Sequence, residues 1–205
     1  MPQLILASAS PGRLRLLRAA GIEPLIEVSG VAETEVAGET VAEHCLRLAT
    51  LKAEAVAAIR STGLVLGADS VLDLDGVPLG KPATATEAVT RWQAMSGRSG
   101  TLLTGHCLID AGSGRSASAV AGTAVRFGRV SDAEIRAYVA TGEPLRVAGA
   151  FTIDGLGAPF IDGVDGDPAN VVGLSLPLLR RLLAELGVEL VELWSAPAQT
   201  YPAQI

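Results

Sequence analysis

Apolar positions in this chain recur with two periods, and residues that start or stop backbone structure bound most of the segments. Three stretches, Thr40-Val41-Ala42-Glu43, Thr84-Ala85-Thr86-Glu87 and Ser131-Asp132-Ala133-Glu134, match the capping box, with a hydroxyl at the N-cap and Glu three residues on. Gly21, Gly63, Gly97, Gly142 and Gly187 each follow a helical pattern and read as stops. The spacing predicts helices near residues 11–20, 41–60, 85–96, 132–141 and 174–186. Between them lie strand-like runs. Leu4–Ala7 opens the chain, and Leu64–Leu74 meets Val77–Leu79 across Asp75-Gly76, a type I′ hairpin signal. Thr101–Asp110 and Ser116–Phe127 flank Gly112-Ser113-Gly114, a second and longer hairpin. Helices alternating with strands, together with antiparallel hairpins, predict a mixed α/β sheet. One domain is expected over residues 1–190, with a loose C-terminal tail over 191–205.

Composition narrows the function classes. About half of the 205 residues are hydrophobic, which is ordinary for a globular chain, and no apolar run reaches the roughly twenty residues of a membrane span. The N-terminal Met1-Pro2-Gln3 lacks a basic region and reads as the approach to a strand, not a signal peptide. Cys45 and Cys107 show neither disulfide nor metal-ligand spacing and are expected as buried free thiols; a cytoplasmic location follows. A net charge of −6 argues against nucleic-acid binding, and the scarcity of aromatics argues against stacking platforms for single strands.

The charged residues carry the candidate chemistry. Lysine occurs only at Lys52 and Lys81, and arginine fills the other fourteen basic positions. Lys is a compact point charge where Arg is a planar fork, so two retained lysines point to places where a fork does not fit, with chance survival as the alternative reading. Lys52 lies in an apolar helical stripe with Cys45, Leu48, Val56 and Ile59. It must therefore snorkel to the surface or face a polar cavity. Lys81 precedes Pro82, which biases it to an extended conformation. Asp69 ends the apolar run Leu64-Val65-Leu66-Gly67-Ala68, where a carboxylate is costly without a partner. Small neighbours there leave space for a ligand, and such an acid can bind a divalent metal or take a proton from water. Ser8-Ala9-Ser10-Pro11-Gly12-Arg13 places an N-cap and an N1 proline at the first helix start, an anion-binding arrangement that Ser8, Ser10 and Arg13 would extend. His44 and His106 have no partners at metal spacing and read as core or surface filling.

Taken together, these segments resemble the Maf family of nucleoside triphosphate pyrophosphatases. The shared parts are Leu6 to Arg13, Leu48-Ala49 through Lys52-Ala53, Gly67-Ala68-Asp69-Ser70 and Leu79-Gly80-Lys81-Pro82. Ser96-Gly97, Thr104-Gly105, Gly142-Glu143-Pro144, Ala148-Gly149 and Asn170-Val171-Val172-Gly173-Leu174 follow. The resemblance implies an elongated mixed sheet flanked by helices, with two lobes around a cleft and commonly a homodimer. It also implies hydrolysis of a nucleoside triphosphate to monophosphate and pyrophosphate with a divalent cation, Mg²⁺ or Mn²⁺. Asp69 would then activate water, Ser8, Ser10, Arg13, Lys52 and Lys81 would hold the triphosphate, and Glu33 would join Asp69 at the metal.

Base selection stays open in the sequence. Family members acting on dTTP and UTP look like Ser-Pro-Arg-Arg, Gly-Ala-Asp-Thr and Ile-Gln-Gly, and the 7-methyl-GTP branch carries Trp, Gln and Glu at the varied places. Here those places are Gly12, Ser70 and Asp154, which match neither set. An acid at 154 could accept from a base N–H donor. Pool cleaning of non-standard or pyrimidine nucleotides leads. The alternatives are a nucleotide-binding regulator of division or septum formation and a 7-methyl-GTP specialist.

Overall fold

One eleven-residue strand organises the chain. In the computed structural model, which describes residues 2–34 and 36–195, β3 (Leu64–Leu74) is bordered over Leu64–Asp73 on one side by β5 (Ser99–Asp110). On its other side β1 (Leu4–Leu6) pairs in parallel with Leu64–Leu66, and β4 (Val77–Leu79) pairs antiparallel with Leu72–Leu74. The seven-stranded mixed sheet runs β2 (Leu25–Ile26), β1, β3, β5, β6 (Ser116–Phe127), β7 (Ile161–Asp165), with β4 off this path. Neither β1 nor β4 pairs with residues 67–71 of β3. The edge there is open.

Alternation along β3 sorts the packing onto two faces. Leu64 and Leu66 point into a core built with α1 (Pro11–Ala19) and α6 (Leu176–Glu185). On the same face, Leu72 and Leu74 belong to a second core with α3 (Ala85–Met95) and α4 (Asp132–Ala140). Trp92, edge-on to Phe127, Tyr138 and Phe160, dominates that second core. The opposite face carries α2 (Val41–Ala57) alone, over Val65, Cys107 and Val71. The expected two lobes are these two cores, and the cleft between them falls at Gly67–Val71.

Two glycines bring α2 onto the sheet. A Cβ on Gly67 would stand 2.1 Å from the Ala49 carbonyl oxygen, and one on Gly105 would stand 2.2 Å from that of Cys45. Any side chain at either position would lift the helix away from Asp69, whose strand partner is Gly105. Both thiols are buried and free, and burial, aided by the charge of Asp69, pushes Cys45 up to about 12. His106 fills core and also ties elements together. Its Nδ1–H donates to Thr104 O, and its Nε2 accepts from Ser175 N at the start of α6. Burial lowers its pKa to about 4, which keeps this tautomer neutral at neutral pH.

The local signals are largely realised. Capping boxes form at Thr40 and Ser131, whereas at Thr84 the Glu87 carboxylate reaches one residue further back, to Ala83 N. Asp75 and Gly76 both take positive φ, 54° and 82°, as a type I′ turn requires. Three expectations change. The second helix ends at Ala57, so Ile59 lies outside the apolar stripe and is 69% exposed. The last helix starts at Leu176, after a separate short α5 (Pro168–Val172). Residues 191–195 are not loose, because Leu193 is buried, Trp194 bridges to Ile22 and Ser195 N donates to Gly21 O; the rest of the expected tail lies outside the described residues. β2 and β7 were not anticipated, being respectively two residues long and interrupted by Gly163. Among the described residues, no helix is long and apolar enough to cross a membrane. The close approach of α2 predicts that Gly105→Ala costs about 3 kcal/mol or more, read as a lowered urea midpoint.

Candidate functional site

Six of the chemistry-bearing residues named from sequence converge on the open edge of β3, from both of its faces. On the α2 face, Lys52 does not snorkel. It is 8% exposed, and its Nζ donates to Asp69 Oδ1 at 2.7 Å and lies 2.5 Å from Glu33 Oε1. Lys52 reaches this place because Cys45 and Ala49, on the same side of the helix, lie against the two glycines. Asp69 is equally buried, and among the described residues no protein group donates to its Oδ2. Glu33 comes from the irregular segment before α2 and is more than half exposed. Partial burial raises its pKa, but the Lys52 hydrogen bond and the charges of Lys52, Lys81 and Arg13 outweigh that and hold it below the ordinary value.

On the other face, Arg13 leaves the first turn of α1 and is 7% exposed. It donates from Nε to Gly173 O at 2.8 Å, and from its two terminal nitrogens to Ser8 Oγ at 2.8 Å and Ser70 Oγ at 3.0 Å. Burial lowers its pKa, against the pull of Asp69 and Glu33, whose fields reach it across the open strand edge. Ser10 caps α1 as expected, accepting from Arg13 N, and Pro11 is its first residue. A hydroxyl relay extends the arrangement inward, from Ser70 to Thr104 at 3.0 Å and from Thr104 to Asn170 O at 3.3 Å.

Lys81 approaches from the second lobe. Its side chain is exposed, and its loop is fixed through Gly80 O, which accepts from Arg91 at 2.6 Å and from Gly149 N at 3.0 Å. The base-selection candidates divide. Ser70 belongs to the Arg13 network. Asp154 stands across the cleft from α1, ion-paired with the exposed Arg15. Gly12 has a packing role, because a Cβ there would lie 2.9 Å from Val172 O and would wedge α1 away from α5.

Two residues with structural consequences went unassigned in the sequence. Asn170 is fully buried, and its Nδ2 donates to Leu102 O and to Thr123 Oγ1, both at 3.1 Å, and to Ala121 O at 3.3 Å. Its Oδ1 has no partner, and neither does the buried Asp167 Oδ2. Thr104 is the other. A polar side chain in a strand core is the available signal for both, and it says nothing of which partner it meets. A concavity of about 630 Å³ lies elsewhere, beside Arg47 and Thr50 of α2.

A resident metal cage is not built here. Among the described residues no three His, Cys, Asp or Glu side chains gather to hold an ion. Glu33 and Asp69, sharing one ammonium, make a two-carboxylate set. Such a pair fits a hard cation that keeps waters and takes its other ligands from substrate phosphates.

Two hydroxyls, three cations and two acids gather around a notch in a sheet edge on an α/β scaffold, a donor set with the charge and hydrogen-bonding capacity to receive a polyanion. The chain belongs to the Maf family, since the family described as Maf-like protein matches residues 3–186. It is 63% identical over 199 residues to the nucleoside triphosphate pyrophosphatase of Streptomyces coelicolor, covering 96% of each chain. It is 58% identical over 205 residues to that of Salinispora tropica, covering 98% of this chain and 91% of the other. Among solved structures it is similar, at TM-score 0.44 and 17% identity, to the Staphylococcus aureus Ham1 protein, over 94% of this chain and 93% of that one.

The buried pair makes a stability prediction. Lys52→Met strands the Asp69 carboxylate and should cost about 3–5 kcal/mol, most of it recovered when Asp69 is also made Leu. Chemical denaturation of the two variants checks this.

Proposed function

We propose that this protein is a nucleoside triphosphate pyrophosphatase that cleaves between the α- and β-phosphates, releasing a nucleoside monophosphate and pyrophosphate. The observation that carries this reading is the buried Lys52–Asp69 pair at the open strand edge, with Arg13 and Ser8 on the other side of the same opening. The names of relatives above half identity point the same way.

Each residue has a task that its surroundings support. Lys52 orients the carboxylate through Oδ1 and leaves Oδ2 for a water, whose proton Asp69 accepts as it attacks the α-phosphorus. An ammonium has three donors, and two of those on Lys52 face carboxylates, so one remains for a phosphate oxygen. Arg13, held by Gly173 O and the two serines, presents a fixed positive charge. Ser8, Ser10 and the start of α1 supply further donors to the phosphates. Lys81, on its anchored loop, takes the departing pyrophosphate. Such chemistry needs mainly positioning and neutralised charge. A divalent cation, Mg²⁺ or Mn²⁺, held by Asp69 and Glu33 together with the triphosphate, would lower the pKa of the attacking water.

Asp154 favours bases that present an N–H donor, which suits non-standard or modified bases and the N3–H of uracil and thymine. A purely regulatory nucleotide-binding role is disfavoured, because a buried carboxylate beside a triphosphate repels it and earns its place only through chemistry or a cation.

Purified protein with Mg²⁺ should release pyrophosphate and no orthophosphate from at least one member of a nucleoside triphosphate panel. No turnover of any triphosphate sinks the proposal. Asp69→Asn should lower kcat by about 10²–10⁴, the range of a lost general base, while nucleotide binding persists by calorimetry. Lys52→Arg should lower kcat by roughly tenfold or more despite the kept charge, because small displacements at the reacting centre are expensive.

A further inference from the structure

Glu143 lies outside the phosphate notch, and none of the tasks above uses it. Four donors nevertheless converge on its carboxylate. Tyr138 Oη, Thr152 Oγ1 and Gly157 N donate to Oε1 at 2.8, 2.6 and 3.1 Å, and Leu156 N donates to Oε2 at 3.0 Å. Three of the four belong to residues 152–157, so this segment is wrapped around one charge. Two glycines permit the wrapping. A Cβ on Gly155 would stand 2.6 Å from Glu143 Oε2, and one on Gly157 would stand 2.5 Å from the Tyr138 hydroxyl. Partial burial pushes Glu143 upward, but the bonds from Thr152, Leu156, Tyr138 and Gly157 outweigh it and hold the carboxyl below its ordinary value. The anion is the form this loop recognises.

A second anchor fixes where the loop begins. Trp92 Nε1 donates to Ala150 O at 2.8 Å, and Ala150 takes a φ of 60°, a conformation a non-glycine residue adopts only when its surroundings enforce it. Phe151 follows, buried against Phe127. The next residues carry Asp154 to the cleft, where its carboxylate meets Arg15 of α1. That ion pair is largely solvent-exposed and holds the loop only weakly. The four-donor grip on Glu143 is the stronger constraint, because four donors meet one charge, two of them from the backbone of the loop itself.

We propose that Glu143 is a positioning residue for base selection, one that fixes residues 152–157 so that Asp154 is held beside Arg15 of α1. Its place is explained by the loop it holds, which is the segment whose Asp154 pairs with Arg15 of α1. The inference rests on the pyrophosphatase reading and adds to it. The phosphates are gripped by the first lobe and Lys81, and discrimination among bases is set by a loop that one carboxylate shapes.

The test is kcat/KM for a panel of nucleoside triphosphates, measured on wild type, Glu143→Gln, Asp154→Asn and the double variant. Glu143→Gln should shrink the ratio between best and worst bases by about tenfold, toward the low end of what one oriented base contact is worth. The loss should fall mainly in KM. In the Asp154→Asn background, Glu143→Gln should change the ratio no further, whereas a merely structural effect would act independently of Asp154. Thr152→Val, which removes one donor and leaves the carboxylate, should move the ratio in the same direction and serves if Glu143→Gln does not fold. A preserved ratio in these variants overturns the inference, as does an additive double variant or a wild type that turns over all bases alike. Absence of turnover in the wild type defeats the pyrophosphatase reading instead, so the two failures are distinguishable.

Discussion

The contact on which the site depends is the backbone-to-backbone approach of α2 to β3 and β5 at Gly67 and Gly105. With no Cβ at either position, the helix lies close enough for Lys52 to reach Asp69 inside the protein. A buried ion pair of this kind is weak evidence for stability, since desolvation offsets much of the attraction. The same volume filled by apolar side chains would hold the helix as well. What the pair provides is a carboxylate of fixed orientation and an ammonium with a donor to spare, placed where the sheet edge is open.

That opening follows from strand lengths. β1 ends at Leu6 and β4 reaches only as far as Leu72, so Gly67–Val71 has a neighbour on one side only. Residues on opposite faces of β3 can therefore serve one ligand across the free edge. Asp69 and Lys52 approach from the α2 face, and Ser70 and Arg13 from the other. The lobes on either side have their own cores, and the long strands β3, β5 and β6 run through both. The site sits where neither core needs apolar residues, which is why an acid and hydroxyls are tolerated mid-strand.

Much of this was legible in the sequence because it is encoded locally. Caps, stops and the Asp75-Gly76 turn act within four or five residues, and all but the Thr84 box and the Gly63 stop formed as read. Lys52 announced itself by interrupting an apolar stripe, and Asp69 by ending an apolar run. The pairing between them is a matter of register and was not visible. Gly12 is also constrained by Val172, on a short helix 160 residues later, a contact that no local pattern could show. Glu143 was noted only as part of a motif, because a carboxylate that gathers backbone donors from a loop leaves no periodic trace. Elements held by tertiary pairing alone, the two-residue β2 and the glycine-interrupted β7, carried too little pattern to be found.

The account turns on water being delivered by Asp69 to the α-phosphorus. Hydrolysis of an accepted triphosphate in H₂¹⁸O, followed by mass analysis of both products, tests this most directly. Label in the nucleoside monophosphate, with unlabelled pyrophosphate, is the predicted result. Label in pyrophosphate or in orthophosphate would place the attack at another phosphorus and contradict the account.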